Sequence, residues 1–444
     1  MKFLRVLIAL VVLALALVDG WVFWLAAGPG PLAFAQAQSG QTYAGASPTG
    51  APPELARADL VTRGRYLTQA ADCESCHTAP GGKPFAGGRA IRTIFGTIYS
   101  SNITPDPSTG IGGWSDADFL RAVHQGIGKD GEGLYPAFPY DAYSHMADAD
   151  VLAIKAFLFS QKPVHRAPPP NAVRFPFDQR WLLRVWAFLF SREQAFQPVA
   201  NRSPDWNRGA YLAEALAHCG SCHTPRHPLQ GLDNRQKFAG GDAEGWRAYD
   251  ITSDRLTGIG GWSDKELTEY LAKGHAEGRG TASGPMGEAV DLGLSHLTPG
   301  DLNALTVYLR SIPAQTSKAL PATLAGPAQA APKAYAPEAD AVQGKAIFEG
   351  ACTSCHGWDG RGNLTTYAAL TGSRAVNDPS AINVAQIVLT GSRRTTPQGE
   401  AFMPAFAAAY SDAEIAAVAN YVTGRFGSAP SHLKAQDVVR LRRN

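Results

Sequence analysis

The chain has 444 residues, 45% of them hydrophobic, and its 40 basic against 38 acidic side chains leave a formal net charge of +2. That length exceeds one core and fits about two to four domains. The charge balance excludes a broad basic face for nucleic acid and an acidic tail, so no nucleic-acid partner is expected.

Lys2 and Arg5 precede an apolar run, residues 6–27, interrupted only by Asp19 and closed by Gly28-Pro29-Gly30-Pro31. A run of about 20 residues crosses a bilayer, and basic residues ahead of it leave the amino terminus in the cytoplasm and the rest outside. The competing reading is a cleaved signal, with Ala33-Phe34-Ala35 or Ala35-Gln36-Ala37 as the small-x-small site. A signal core runs about 7–15 residues, so a retained anchor over residues 1–35 is the expectation. Both readings export the protein. Residues 36–58, rich in Gln, Ser, Gly, Ala and Pro, read as a flexible lead-in.

Three Cys-x-x-Cys-His pentads follow: Cys73 to His77, Cys219 to His223 and Cys352 to His356. They use all six cysteines. Two thiols at this spacing can add to the two vinyl groups of one porphyrin, and the adjoining imidazole then sits under the iron. Zinc is the competing reading, but a zinc ribbon repeats its Cys pair after about 15–20 residues. Here Cys73, Cys219 and Cys352 stand 146 and 133 residues apart. The expectation is three covalent haems c, bonded through Cys73, Cys76, Cys219, Cys222, Cys352 and Cys355, with His77, His223 and His356 as proximal iron ligands. The high glycine and proline usage (46 and 31) suits small helical domains whose loops wrap a flat cofactor. Covalent haem attachment and the lack of spare thiols agree with export.

Each pentad follows an amphipathic stretch: Arg63-Gly64-Arg65-Tyr66-Leu67, Arg208-Gly209-Ala210-Tyr211-Leu212, and more loosely Gly344-Lys345-Ala346-Ile347-Phe348. The octet Thr109-Gly110-Ile111-Gly112-Gly113-Trp114-Ser115-Asp116 recurs unchanged from Thr257 to Asp264, displaced by 148 residues, so one unit is used twice. Ser115 with Asp118 and Ser263 with Glu266 form capping boxes where helices begin. Trp114 and Trp262 are expected to pack those helices on a haem edge, with an electron relay as the alternative. Closing helices are expected over 149–160, 299–311 and 411–425. The fold class is therefore mainly α: three tandem haem units over 59–165, 204–312 and 339–428, behind an amino-terminal hydrophobic helix. Between the first two lies an aromatic connector, 166–203, containing Trp181 and Trp186, which reads either as a docking surface or as a seal between domains. A Pro/Ala-rich linker over 313–338 carries the third unit, and the basic tail, 429–444, is suited to grazing anionic headgroups. Gly126-Ile127-Gly128-Lys129-Asp130-Gly131 matches a dinucleotide fingerprint by letter, but with no strand before it reads as a loop beside the first haem.

An electron-carrying haem normally has both axial positions filled, and a thioether raises its potential. Besides Met1 there are three methionines, Met146, Met286 and Met403, one per unit. Pro285-Met286 and Met403-Pro404 fall in Gly/Pro/Ala-rich stretches read as ligand loops. Met146 is the candidate for the first unit, although it aligns with Leu297 and Tyr410 at the start of the last helices. Phe138-Pro139 falls nearer the place of Met403, and the alternatives are His124, His145 or an open position. His165, His218, His227, His275, His296 and His432 read as surface or packing residues.

These residues resemble the three-haem cytochrome c subunit of the membrane-bound alcohol, aldehyde, gluconate, sorbitol and fructose dehydrogenases of acetic acid bacteria and relatives. The resemblance covers residues 60–425 and is carried by Asn102-Ile103-Thr104-Pro105-Asp106, Leu134-Tyr135-Pro136-Ala137-Phe138-Pro139-Tyr140, Trp206-Asn207-Arg208-Gly209-Ala210-Tyr211-Leu212 and His218-Cys219-Gly220-Ser221-Cys222-His223-Thr224-Pro225-Arg226. It implies class I cytochrome c-like domains that take electrons from a catalytic dehydrogenase subunit, pass them haem to haem, and deliver them to ubiquinone. It also implies a bacterial inner membrane location with the haem domains facing the periplasm. The partner would be of molybdenum/iron-sulfur, PQQ or flavin type, with a small subunit in some complexes. Two departures stand out: several members have Met-Pro where this chain has Phe138-Pro139, and the fructose-oxidising type has a carboxyl-terminal membrane helix with no counterpart here. An amino-terminal anchor together with the Phe-Pro variant resembles more the cytochromes that accompany molybdenum and iron-sulfur aldehyde dehydrogenases. No stretch resembles a substrate-oxidising site. A haem peroxidase and a free periplasmic shuttle are the other functions weighed.

Overall fold

The computed structural model describes residues 16–17, 19–37, 40–191, 193–315, 339–396 and 399–443. Residues 1–15 and 18, which include half of the apolar run, and most of the Pro/Ala-rich linker (316–338) lie outside the described residues. Among the described residues no helix is long and apolar enough to cross a membrane.

Three times the chain opens with a helix, turns through a Cys-x-x-Cys-His segment, and closes with a helix that crosses the first. The opening helices are Leu60–Ala70, Pro204–Tyr211 and Ala339–Ala351, and the closing ones Asp148–Phe159, Pro299–Ser311 and Asp412–Phe426. The crossing depends on one glycine in each opening helix. A Cβ on Gly64 would lie 1.9 Å from the Ala153 carbonyl oxygen, on Gly209 1.9 Å from that of Ala304, and on Gly344 2.2 Å from that of Ala417. Only glycine lets the two backbones approach so closely. The same glycine is thus a structural signature of all three units.

Between opening and closing helices the first two units insert Asp116–Gln125 and Asp264–Lys273. Both begin in the expected capping boxes, with Ser115 and Ser263 accepting from the N–H of Asp118 and Glu266 while those carboxylates accept from the capping serines. Ser411 with Glu414 caps the last closing helix in the same way.

Short antiparallel strands, which helical periodicity does not reveal, fill the loops. Ala90–Thr93 pairs with Gly96–Tyr99, and the connector adds Ala172–Val173 to make three strands. Two-stranded hairpins follow at Gly241–Ala243 with Trp246–Ala248, at His275–Ala276 with Gly280–Thr281, and at Ser392–Thr396 with Gly399–Met403. The connector then forms the helix Arg180–Phe190.

The buried residues of the first two units form one continuous cluster, including Leu67, Leu158, Leu216 and Leu305, whereas the third unit has its own around Phe348, Ile415 and Val438. Polar contacts seal the first junction. Arg89 of unit one bonds Glu244 (3.2 Å) and Glu288 (2.5 Å) of unit two, and also the Ser75 carbonyl (2.8 Å) inside the first pentad.

Two stretches differ from their reading in the sequence. The lead-in read as flexible is tied down: the carbonyls of Pro48 and Gly50 both accept from Arg208 (2.8 Å), and the Gly50 N–H donates to Asp150 (2.8 Å). Just ahead of it, Leu32 and Ala35 are buried in the shared core. The basic tail forms the helix Ala435–Leu441, which buries Val438 and Leu441 against the third unit, while Arg442 bonds the carbonyls of Ala407 and Tyr410. Its apolar residues and Arg442 dock on the protein, while Lys434, Arg440 and Arg443 are exposed.

Candidate haem sites

In unit one the pentad is the short helix Cys73–His77, entered through Asp72 in the left-handed conformation (φ 51°); in unit two His218 (φ 36°) has the same place before Cys219. The third pentad ends in the helix Thr353–His356. All six cysteines are free of disulfides and half-buried. Burial pushes the Cys76 and Cys219 thiols up to about 12 and those of Cys222 and Cys352 up to about 11. A redox dithiol needs one thiol whose pKa is lowered. In the first two pairs both thiols are shifted the other way.

The three pentad histidines share one arrangement. His77 Nδ1 donates to the Ser101 carbonyl (2.7 Å), His223 Nδ1 to that of Tyr249 (2.6 Å), and His356 Nδ1 to that of Ala368 (2.6 Å). Burial lowers the pKa of each imidazole and so favours its neutral form. A neutral ring that donates through Nδ1 carries its lone pair on Nε2. Holding the second nitrogen this way is how proteins orient a metal-ligating histidine. Two thiols and one oriented imidazole recur in all three units, and this donor set fits a covalent haem c in each.

Sequence reasoning did not name those carbonyls. Ser101 and Tyr249 are 148 residues apart, the displacement of the repeated octet, so the repeat itself held the signal. It also missed Tyr143, whose hydroxyl donates to the Ala71 carbonyl (2.6 Å) while its ring packs edge-on against His218 (5.4 Å between centroids). Ala71 lies two residues before Cys73 and His218 one before Cys219, so a single tyrosine bridges the approaches to the first two pentads.

The methionines stand in three different settings. Met286 lies in the first turn of the helix Gly284–Leu292, and Met403 ends a strand, opposite Ser392. Both differ from the loops that their Gly/Pro/Ala-rich sequences predict. Pro285 near the helix start and the paired strands from Ser392 to Met403 order them instead. Met146 is 2% exposed and immediately precedes Ala147, the cap of the closing helix; Leu297 and Tyr410 precede the caps Thr298 and Ser411 in the other units. Of the alternatives, His145 donates through Nδ1 to the Gln194 carbonyl, and the Nε2 atoms of His124 and His145 are buried without a hydrogen-bond partner.

The remaining histidines match their bland reading. His165, His296 and His432 are exposed, and His218, His227 and His275 lie against Tyr143, Phe190 and Tyr367. Trp114 and Trp262 pack against the shared core, Trp262 edge-on to Tyr270 (5.3 Å). Directly before the second pentad, a π-helical turn, Leu212–Leu216, buries Glu214 against Lys237 (2.6 Å) and the Tyr308 hydroxyl (2.5 Å).

The family model for cytochrome c matches residues 341–425. Over 420 residues the chain is 37% identical to the fructose dehydrogenase cytochrome subunit of Gluconobacter japonicus, covering 89% of this chain and 85% of that one. It is 36% identical over 400 residues to the gluconate 2-dehydrogenase cytochrome c subunit of Pantoea cypripedii, covering 87% and 90%. It is also 40% identical over 381 residues to a nicotinate dehydrogenase component of Pseudomonas putida; the match takes in 84% of this chain but spans only 31% of that longer protein. Pentads built alike and cytochrome subunits matched along most of their own length lead to one conclusion: this chain belongs to the family of cytochrome c subunits of fructose, gluconate and alcohol dehydrogenase complexes.

Proposed function

We propose that the chain is the electron-transfer subunit of a membrane-associated dehydrogenase complex, holding three haems c and carrying electrons from a catalytic subunit to ubiquinone. The observation that carries the reading is the threefold recurrence of an oriented pentad histidine beside two unpaired cysteines. Cys73 and Cys76, Cys219 and Cys222, and Cys352 and Cys355 would each bond one porphyrin, with His77, His223 and His356 below the irons. Met286 and Met403 are the proposed sixth ligands of the second and third units, and Met146 that of the first. Bound there, a haem supplies a one-electron iron couple whose potential its axial ligands set.

The protein's own part is orientation. Backbone carbonyls fix each imidazole, and the shared core with the Arg89 and Tyr143 contacts holds the first two sites in one rigid body. The three units proposed are 59–165, 204–312 and 339–428, the last being the one the family model matches. Substrate choice belongs to the partner, proposed to be of the molybdenum/iron-sulfur type, with the complex at the inner membrane and this subunit on its periplasmic side.

Intact-mass measurement of the purified complex tests the reading. The expected mass of this chain is that of the polypeptide plus three haems, its colour is retained through acid-acetone extraction, and substrate added to the complex reduces all three. Colour lost to the solvent, or a chain that stays oxidised while the catalytic subunit turns over, would overturn it.

A further inference from the structure

The connector helix Arg180–Phe190 carries Arg180 and Arg184, at i and i+4, on one side and only apolar residues around the rest, yet none of its residues is buried. The apolar face of an amphipathic helix is normally turned to a core. Its inner side is partly covered: Trp186 Nε1 donates to the Leu229 carbonyl (2.8 Å) and Phe190 packs on His227 (4.7 Å). On the outer side Trp181, Val185 and Phe188, at i, i+4 and i+7, are 64%, 48% and 85% exposed. Contiguous apolar surface of this kind marks an interaction site.

What covers this face follows from its neighbours. Leu25 and Ala26, at the end of the apolar run read from the sequence as a membrane segment, line one cleft with Leu189 and Phe190 of the connector helix. Trp21, Phe23 and Trp24 of that run are themselves exposed. Where the run meets a bilayer, the connector helix therefore lies at the bilayer surface. Arg184, and Arg174 just ahead of the helix, accompany the aromatic residues, while Arg180 donates to the Gly133 carbonyl; this mixture of Trp, Phe and Arg is that of a helix lying in the plane of an anionic membrane interface.

We propose that the helix Arg180–Phe190 is a membrane-surface contact, with Trp181, Val185 and Phe188 entering the headgroup and acyl boundary of an anionic phospholipid bilayer and Arg184 at the phosphates. The inference rests on the reading of the chain as a membrane-associated electron-transfer subunit, and it says which face meets the lipid. The rival occupant is a protein, the catalytic subunit.

A photoreactive phenylalanine analogue in place of Phe188, in the full-length chain within its complex, distinguishes the two. The complex is reconstituted in vesicles of phosphatidylethanolamine and phosphatidylglycerol, and the same analogue replaces Leu364 of the third unit, an equally exposed residue (77%), as the control. The expected result is a lipid adduct on the peptide containing position 188 and none on that containing 364. A protein adduct at 188, no adduct there, or equal lipid labelling at both positions would overturn the proposal. In parallel, the triple variant Trp181→Ser, Val185→Ser, Phe188→Ser should reduce vesicle-embedded quinone at least about tenfold more slowly while its rate with water-soluble ferricyanide is unchanged. Unchanged quinone reduction by that variant would also overturn the membrane contact. Failure of the electron-transfer reading would look different: haems that stay oxidised during substrate turnover, whatever is labelled at 188.

Discussion

Tyr66 and Tyr211 occupy the same place in the first two units, three residues past Arg63 and Arg208, and each reaches across to the other's closing helix. The Tyr66 hydroxyl donates to Asp301 (2.6 Å) and accepts from the Thr298 N–H (3.2 Å); that of Tyr211 donates to Asp150 (2.5 Å) and accepts from the Ala147 N–H (3.1 Å). The exchange is reciprocal, as in a two-fold symmetric dimer, but within one chain. Duplication of a haem unit has thus kept a dimer-like interface, which fixes one pentad relative to the other.

The two halves of this exchange differ in reserve. Asp301 also accepts two N–H bonds from Arg208 (2.8 and 2.7 Å), whereas Asp150 has the Gly50 N–H (2.8 Å). Tyr211→Phe should therefore cost about 2–3 kcal/mol and Tyr66→Phe about 1 kcal/mol, because a buried carboxylate short of donors is the more expensive loss. Urea unfolding of the two single variants checks the order; equal losses, or the reverse, would contradict this account.

The helix crossing gives a sharper comparison inside one element. Gly344 and Gly350 share the opening helix of the third unit, but a Cβ on Gly344 would meet the Ala417 carbonyl oxygen at 2.2 Å, while one on Gly350 would meet nothing within 4 Å. Gly344→Ala is expected to destabilise by about 3 kcal/mol through forced separation of the helices. Gly350→Ala should be neutral, or stabilising by up to about 1 kcal/mol, through helix propensity. Thermal melts monitored in the far ultraviolet separate the two.

The residues behind those two comparisons also show what the sequence made legible. The repeated Arg-Gly-x-Tyr-Leu, the octet with its capping serine and the three pentads each carry local chemistry, and their helices lie where periodicity placed them. The tyrosine exchange was not legible, because nothing in Arg-Gly-x-Tyr says that the hydroxyl crosses to another unit. The strands were missed because each has only two to five residues, too few to show an alternating pattern against the glycine-rich loops around them. Met286 and Met403 were found by residue type, but their backbone settings depend on pairing and capping that the methionines themselves do not announce.

Asp72 makes the first unit sensitive to pH. Its Oδ1 is buried without a hydrogen-bond partner, and burial, opposed by a hydrogen bond to Ser75, raises its pKa to about 7. A carboxyl raised on folding contributes stability that is whole below its unfolded pKa, about 4, and is lost as pH rises through the folded value. Asp72→Asn should match the wild type near pH 4 and exceed it by about 4 kcal/mol above pH 7. Unfolding midpoints across that range, read for both proteins in the holo form, give the difference; parallel curves would show that Asp72 does not titrate between those limits.

The proposed sixth ligands can be tested without disturbing the packing, because Met→Leu nearly conserves volume and usually costs under about 1.5 kcal/mol. Met286→Leu and Met403→Leu should each turn one of the three proposed haem irons from low to high spin and lower its potential, as removal of a thioether does. Electron paramagnetic resonance during a redox titration reads both changes. Met146→Leu is the discriminating variant, since Met146 stands where the other units have Leu297 and Tyr410 before their closing helices. Loss of the low-spin signal of the first haem would assign its thioether. A signal that survives would make Met146 a core residue and shift the test to His145→Leu, whose imidazole already donates through Nδ1 and keeps a buried Nε2 with no hydrogen-bond partner.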